Sequence, residues 1–230
     1  FHATVTIDIR KKSKTVSVVY NVKSGPPCTV RNFEYFIPDS IMHHYIMSDT
    51  AAGKLRTGMI FDTYALDDDR ERIATVLRNN SYYNFSLSDI YYVADTTNNG
   101  LSAEVQLYIK KIRMFAPNLS DSTIEIQHPR FFIRDIYIIT NADPTQLSKP
   151  YDTLVYSYRQ NKSDTGSKIH ILYTDKLTLK PAFLSSCMQF STGNPYSQQA
   201  ANNTYKKLIS QPIIGATNIS MTMKNPEQAA

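Results

Sequence analysis

The sequence predicts an α+β protein assembled from small repeated units, and three observations support this. Apolar and polar residues alternate over several short stretches, which is typical of half-buried β-strands. A long stretch between such strands carries apolar residues at helical spacing. The same pattern partly recurs in the second half of the chain. Of the 230 residues, 42% are hydrophobic and 20% are charged, which is enough apolar material for real cores.

A β-hairpin is predicted at the start of the chain. Residues 3–9 and 15–22 both alternate, and the basic run Arg10-Lys11-Lys12-Ser13-Lys14 lies between them as the turn. We interpret the basic turn as a solvated surface, with contact to lipid headgroups or an acidic partner as the alternative. Ser24-Gly25-Pro26-Pro27 then ends the second strand, because proline cannot donate to a strand ladder.

A complete β-α-α-β-β unit is predicted next. Its elements are a strand over 29–37, a helix over 41–48, a helix over 63–79, and hairpin strands over 85–93 and 101–109. Asn99-Gly100 lies between the hairpin strands and is a strong signal for a tight turn. The alternation in the last strand predicts a sheet with one solvent-exposed face.

The shorter of the two helices is predicted to begin at an N-cap, either Asp39 or Ser40. Ile41 and Tyr45, with His44, are expected to share one face of this helix.

The longer helix is predicted to be capped by Asp62 and to bury Leu66, Ile73 and Leu77. Asn79-Asn80 is expected to end it in the left-handed conformation that asparagine tolerates.

A divergent second copy of the unit is predicted over residues 130–230, after a polar linker over 115–129. Its predicted elements are a strand over 131–139, helices over 181–188 and 196–210, and a strand over 218–223 that opens a closing hairpin whose last strand is missing. Gly193-Asn-Pro-Tyr196 repeats the spacing of Gly58-Met-Ile-Phe61. A β-hairpin insertion near 140–180 is expected from strands at 153–158 and 168–173, as an arm or as a structural elaboration.

Motifs of a known domain recur between residues 54 and 110. They are Gly58-Met-Ile-Phe61-Asp62, then Leu66, Asp67-Asp68-Asp69-Arg70-Glu71-Arg72-Ile73 and Leu77, then Ser81-Tyr82-Tyr83-Asn84-Phe85. This pattern resembles the POTRA domain of the BamA/TamA family of outer-membrane assembly proteins, although Ser81 stands where glycine is usual. Gly25-Pro26-Pro27, with Val30-Arg31, is similar to the boundary between successive domains of that family. Phe1-His2-Ala3-Thr4-Val5 is similar to the closing strand of a preceding domain.

The resemblance implies tandem POTRA domains, each β-α-α-β-β with a three-stranded mixed sheet covered on one face by two helices. Residues 1–24 are then the closing hairpin of a truncated domain, 25–114 a complete domain, and 130–230 a divergent one. The chain is expected to begin inside a longer protein on the periplasmic side of the bacterial outer membrane. Further POTRA domains and a C-terminal β-barrel are implied as partners within its own chain.

The implied function is to hold unfolded outer-membrane proteins or accessory assembly proteins by adding their strands to free sheet edges. The candidate client-binding residues on the two predicted edge strands are Ala3, Val5, Ile7, Phe85, Leu87, Asp89 and Tyr91. The motif residues expected to shape the domain are Gly58, Phe61, Asp62, Leu66, Arg70, Ile73, Leu77 and Tyr83. The alternatives are a structural spacer that binds clients little, favoured by the stiff Gly25-Pro26-Pro27 junction, and an unrelated extracellular binding module.

Covalent chemistry is not expected, and no cofactor or metal site is predicted. His43 and His44 are adjacent and would point about 100° apart on a helix, and Asp67-Asp68-Asp69 is better explained by ion pairs with Arg70 and Arg72. The net charge of +5 is spread along the chain, so nucleic acid is not an expected partner, while proximity to a membrane surface is allowed. Cys28 and Cys187 form no disulfide framework, and two free buried thiols are expected, with a single bridge between them as the alternative.

Overall fold

The computed structural model describes residues 3–49, 53, 55–96, 101–115, 123–140, 150–159 and 166–223. Its strands are β1 (Thr4–Lys12), β2 (Thr15–Lys23), β3 (Thr29–Phe36), β4 (Ile90–Asp95), β5 (Ser102–Ile109), β6 (Ile112–Phe115), β7 (Thr123–Ile126), β8 (Ile136–Ile139), β9 (Asp152–Tyr158) and β10 (Ser167–Tyr173). Its helices are α1 (Ser40–Ser48), α2 (Thr63–Asn79), α3 (Pro181–Cys187) and α4 (Gln198–Ile209). The chain divides into two compact units, one from residues 1–37, 53–70 and 90–109, the other from 38–52, 71–89 and 110–230. The domain boundaries drawn from the sequence stay predictions.

Strands β1 and β2 form the predicted hairpin, in antiparallel register from Thr4 opposite Lys23 to Lys12 opposite Thr15. Only Ser13 and Lys14 make the turn, so the first three residues of the basic run belong to β1. One face of this ribbon is apolar along most of its length. That face carries Val5, Ile7, Ile9, Val16, Val18, Tyr20 and Val22, all exposed.

The first three-stranded sheet has the order β3-β5-β4, with β3 parallel and β4 antiparallel to the central β5. Since α1 and α2 lie between β3 and β4 in the chain, the β-α-α-β-β order is confirmed, and the sheet is mixed. On the inner face, Leu66 of α2 packs with Val30 of β3 and with Ala103 and Val105 of β5. The outer face of β5 is only partly buried, as its alternation predicted.

Helix α1 begins as predicted but buries a different face. The Asp39 side chain accepts hydrogen bonds from the backbone of Ile41 (2.8 Å) and Met42 (3.0 Å), which fixes the start of the helix at Ser40. Met42 and Ile46 are the buried residues, whereas Ile41 is exposed. The face shared by Ile41, His44 and Tyr45 is therefore not the buried one.

Helix α2 has the predicted bounds, and Asp62 caps it by accepting a 3.0 Å bond from the backbone of Tyr64. Leu66, Ile73 and Leu77 are buried, as expected. The chain then leaves the helix through Ser81, which has a φ of 82°, and not through Asn79-Asn80 as predicted.

The second sheet has the order β8-β10-β9, with β8 parallel and β9 antiparallel to the central β10. Its core joins sheet and helices: Ile136, Ile169 and Ile171 from the strands meet Leu184, Cys187, Met188 and Leu208 from the helical segments. The neighbour order matches that of the first sheet, but the chain order is β-β-β-α-α. The hairpin expected as an insertion therefore supplies two strands of the sheet itself.

Two further expectations about the second half are corrected. Residues 218–223 form no strand, because β10 already occupies the place beside β8 where a closing strand would pair. The strand predicted over 131–139 is shorter, and only β8 and a bridge between Phe132 and Pro195 carry strand pairing. The predicted linker is not irregular throughout, since β6 and β7 pair across it in antiparallel register.

Candidate functional site

Strand β4 lies at one edge of the first sheet, and its register shows which backbone groups point outward. The N–H of Lys110 donates to the C=O of Asp89 over 2.8 Å, so these two residues form a hydrogen-bonded pair next to Ile90 and Ile109. In an antiparallel ladder such pairs alternate with non-hydrogen-bonded ones. Tyr92 and Ala94 therefore direct their N–H and C=O groups away from β5, toward the side of β4 on which no described strand pairs.

An aromatic row crosses the outer face of this sheet beside the edge. Tyr91 of β4 stacks on Tyr108 of β5 with ring centroids 5.2 Å apart, and Tyr108 stacks on Phe36 of β3 at 5.0 Å. Tyr91, Val93 and Phe36 are all exposed. The edge thus combines outward backbone groups with a flat apolar surface.

The candidate residues before β4 do not lie in the edge strand. Phe85 is buried with 2% of its surface exposed, and its C=O accepts a 2.7 Å bond from Arg78 Nε. Leu87 and Asp89 lie in a 3₁₀ turn, where the Asp89 carboxylate accepts from the N–H of Ser86 at 2.7 Å. The edge therefore begins at Ile90, and the predicted strand over 85–93 is corrected to β4.

The candidate residues at the start of the chain lie on the open ribbon. Val5 and Ile7 are on the apolar face of β1, each with 54% of its surface exposed. Ala3 is exposed and precedes the strand. None of the three is packed into a core within the described part of the chain.

Gly58 forms a backbone site that we call the first socket (Cys28, Val30, Gly58, Met59 and Phe61). Three hydrogen bonds define it: Gly58 N–H to Val30 C=O (2.7 Å), Val30 N–H to Met59 C=O (2.8 Å), and Phe61 N–H to Cys28 C=O (2.8 Å). Gly58 has a φ of 87°, a left-handed conformation that favours glycine.

Gly193 forms an equivalent site, the second socket (Phe131, Ile133, Gly193, Asn194 and Tyr196). The same three bonds recur: Gly193 N–H to Ile133 C=O (2.6 Å), Ile133 N–H to Asn194 C=O (2.9 Å), and Tyr196 N–H to Phe131 C=O (3.0 Å). Gly193 has a φ of 83°. The repetition inferred from the spacing of the two glycine motifs is therefore confirmed at the level of individual backbone bonds.

The second socket holds the turn that ends α2, which we call the clasp turn (Asn79–Tyr83). Ser81 donates its N–H to Tyr196 C=O (3.0 Å) and accepts the N–H of Phe131 (2.8 Å) on its C=O. Its side chain accepts a long bond of 3.5 Å from Arg130 Nη2, and the residue is fully buried. The positive φ of Ser81 explains why glycine suits this position.

Two side chains of the clasp turn complete the contact. Asn79 Oδ1 accepts a 2.8 Å bond from the backbone N–H of Gln199, so it adds a second cap to α4, whose N-cap is Ser197. The ring of Tyr83 lies edge-on to those of Tyr196 (4.9 Å) and Phe131 (5.9 Å). The sequence did not predict that Asn79 and Phe131 take part in this contact. The one feature that pointed to this turn was Ser81, which stands where glycine is usual.

Three tyrosines, Tyr82, Tyr92 and Tyr196, have a raised pKa. Burial raises the pKa of Tyr92, and the Asp69 carboxylate that accepts its hydroxyl at 3.2 Å raises it further. Burial likewise raises the pKa of Tyr82, whose hydroxyl donates to Asp39 at 3.4 Å. Burial raises the pKa of Tyr196 as well. These hydroxyls therefore act as neutral donors near neutral pH.

Two arginines of the acidic segment of α2 form ion pairs, one within the helix and one outside it. Arg70 bonds Asp67 at 3.1 Å, which confirms pairing one turn apart, and Arg72 reaches Asp49 at 3.3 Å. Among the residues that the structure describes, no three His, Cys, Asp or Glu side chains lie close enough to hold a metal ion. His43 and His44 are exposed, and the two cysteines are free.

None of the helices in the described ranges is long and apolar enough to cross a membrane.

Comparison with known proteins gives structural neighbours only. No family model matches the chain, and no curated protein matches it. Among solved structures, the chain is similar to Haemophilus influenzae BamA POTRA3-5, with a TM-score of 0.41 and 11% identity over 90% of this chain and 61% of that one. It is also similar to the N-terminal domain of Omp85 from the thermophilic cyanobacterium Thermosynechococcus elongatus, with a TM-score of 0.26 and 12% identity over 90% and 63% of the two chains. A third neighbour is POTRA1-3 of the periplasmic domain of Omp85 from Anabaena, with a TM-score of 0.23 and 11% identity over 90% and 62%.

The chain therefore spans about three fifths of the length of these solved POTRA chains.

Proposed function

We propose that this chain is a periplasmic binding module of an outer-membrane protein assembly machine. It holds extended segments of unfolded β-barrel proteins, or of accessory assembly proteins, by adding them as strands to β4. The observation that carries the proposal is the open edge of β4, where Tyr92 and Ala94 direct backbone groups outward beside the exposed side chains of Tyr91 and Val93. Main-chain pairing tolerates many client sequences, while the aromatic row supplies apolar contact.

The hairpin β1–β2 provides a second edge under the same proposal. We assign it as the closing hairpin of a further POTRA domain. Its two strands pair antiparallel, as β4 and β5 do, and its exposed apolar face is of the kind that packs against helices. Its Val5 and Ile7 then become core residues, and only the backbone edge of β1 would remain available to a client.

A proline at Ala94 tests the β4 edge. Proline removes the outward N–H of residue 94 without removing any bond between β4 and β5. A lost hydrogen bond is worth about 1 kcal/mol, so the Kd for a client strand is expected to rise roughly fivefold. The measurement is NMR titration of the chain with a synthetic peptide that alternates apolar and polar residues like an outer-membrane β-strand.

The matched control is Ala94→Val, which keeps the N–H and favours a strand. Strand addition is supported if the peptide causes NMR chemical-shift changes along β4 that become smaller in Ala94→Pro and stay the same in Ala94→Val. Equal binding by both folded variants would overturn the assignment of this edge.

A structural spacer is the second candidate, and the clasp turn favours it. Ser81, Asn79 and Tyr83 bind the second socket through backbone, cap and aromatic contacts, which hold the end of α2 against the second repeat. In the same titration, a folded chain that shows no response to the peptide would favour this spacer.

A further inference from the structure

We propose that the first socket is a docking site for the helix-ending turn of a preceding repeat. The turn would bind as Asn79–Tyr83 binds the second socket, through a left-handed residue that pairs with Cys28 N–H and Phe61 C=O. This inference rests on the repetition of the socket and does not depend on whether β4 binds clients.

The two sockets are equivalent in their backbone bonds. Cys28 corresponds to Phe131, Gly58 to Gly193, and Phe61 to Tyr196, because each pair occupies the same place in the same three-bond pattern. In the second socket, Phe131 N–H and Tyr196 C=O are the two groups that Ser81 takes up. The corresponding groups of the first socket, Cys28 N–H and Phe61 C=O, have no hydrogen-bond partner among the described residues.

The side chains around the first socket are also uncovered. Tyr196 is 4% exposed beneath the clasp turn, whereas its counterpart Phe61 is only half-buried. Ile60 and Tyr64 flank Phe61 and are 59% and 79% exposed. Large apolar side chains beside an unpaired donor and acceptor are typical of a surface that another segment covers.

The order of the chain identifies the occupant. The clasp turn comes just before the β4–β5 hairpin, and the socket that it fills comes after that hairpin. The first socket follows the β1–β2 hairpin in the same way, since Cys28 lies five positions after Lys23. The occupant is therefore the helix-ending turn that comes before a hairpin of the β1–β2 kind, in a preceding repeat.

The sockets differ in one respect that defines the ligand more closely. In the second socket, Asn79 caps the N–H of Gln199, but in the first the equivalent N–H of Tyr64 is already capped by Asp62 at 3.0 Å. The occupant thus needs no asparagine at that place. It needs a residue that accepts positive φ, followed two positions later by an aromatic side chain.

Disulfide tethering to Cys28 tests the proposal on the whole chain. The probe is a synthetic peptide of residues 77–85 that carries Tyr83→Cys as a mixed disulfide with cysteamine. The Cys28 thiolate attacks the peptide sulfur, a protein–peptide disulfide forms, and cysteamine leaves as its thiolate. Tyr83 lies against Phe131 in the second socket, so the peptide sulfur would lie beside Cys28 in the first.

The matched control is the same peptide with Ser81→Val, because a β-branched residue strongly disfavours positive φ. Capture of the Ser81 peptide at Cys28 is expected to exceed capture of the control by about fivefold to tenfold, as measured by intact mass and by digestion. Equal capture of both peptides, capture no greater than that of a scrambled peptide, or the same preference at Cys187 would each overturn the proposal.

Discussion

Replacing Ser81 with valine should separate the role of the left-handed conformation from that of the side chain. Ser81 is fully buried, has a φ of 82°, and makes two backbone bonds to the second socket. Holding an L-residue in this conformation costs about 1–2 kcal/mol, and the cost is greater for a β-branched residue. The extra methyl groups in a closed site add about 1–3 kcal/mol. We expect Ser81→Val to lower the free energy of unfolding by about 2–4 kcal/mol.

Ser81→Gly is the matched control, and it should be nearly neutral. Glycine relieves the left-handed strain, but it gives the unfolded chain more conformational freedom, which lowers the free energy of unfolding by about 0.5–1 kcal/mol. It also removes the bond from Arg130, which is long at 3.5 Å and therefore weak. These effects oppose each other, so the net change is expected to lie within about 0.5 kcal/mol.

Urea denaturation followed by circular dichroism measures both variants, and amide hydrogen exchange localises the effect. The N–H of Phe131 donates to Ser81, so its exchange should speed up in the valine variant and stay slow in the glycine variant. If the two variants unfold at the same urea concentration, the left-handed conformation is not what holds the clasp turn, and the argument fails.

The remaining predictions concern a helix cap and the half-buried Tyr92. Asn79→Ala removes the second cap of α4 and should destabilise the start of that helix by about 1 kcal/mol. Amide hydrogen exchange of Gln199 should therefore become faster. Asn80→Ala is the control, and equal exchange of the Gln199 amide in both variants would contradict the assignment. Tyr92→Phe removes a donor to the buried Asp69 and should cost about 1.5–3 kcal/mol near neutral pH. Because the pKa of Tyr92 is raised above its usual 10.0, its neutral hydroxyl contributes stability that is fully present below pH 10 and is lost as pH rises above it. Urea titrations at several pH values should therefore show a shallower alkaline loss in Tyr92→Phe, and an unchanged slope would contradict this.

The parts of the fold that obey local rules could be predicted from the sequence. Helix α2 has its predicted bounds because Asp62 caps it and Leu66, Ile73 and Leu77 repeat at helical spacing. The two glycine motifs predicted equivalent turns because only glycine readily takes the positive φ that they require.

The parts that depend on tertiary partners could not be predicted. The segment before β4 has strand-like alternation, but Arg78 and Asp89 bind its backbone and divert it into a turn. The contacts of the clasp turn could not be predicted either, since the role of Asn79 depends on Gln199, which lies 120 positions later in the chain. Of the candidate site, the sequence therefore located an edge strand near residue 90 but misplaced its first residues.

The second sheet shows why period-two alternation alone does not determine topology. Residues 218–223 and strand β9 both have polar residues between apolar ones, yet only β9 pairs, because β10 already fills the central place beside β8 that a closing strand would take. Once the hairpin of β9 and β10 precedes the helices, β10 takes the central position beside β8 and leaves β9 at the edge. The neighbour order and the directions of the three strands are then those of β3, β5 and β4, reached from a different chain order. What the two repeats share is therefore an arrangement of strands and a glycine socket, and this arrangement places one antiparallel strand at the edge of each sheet among the described residues.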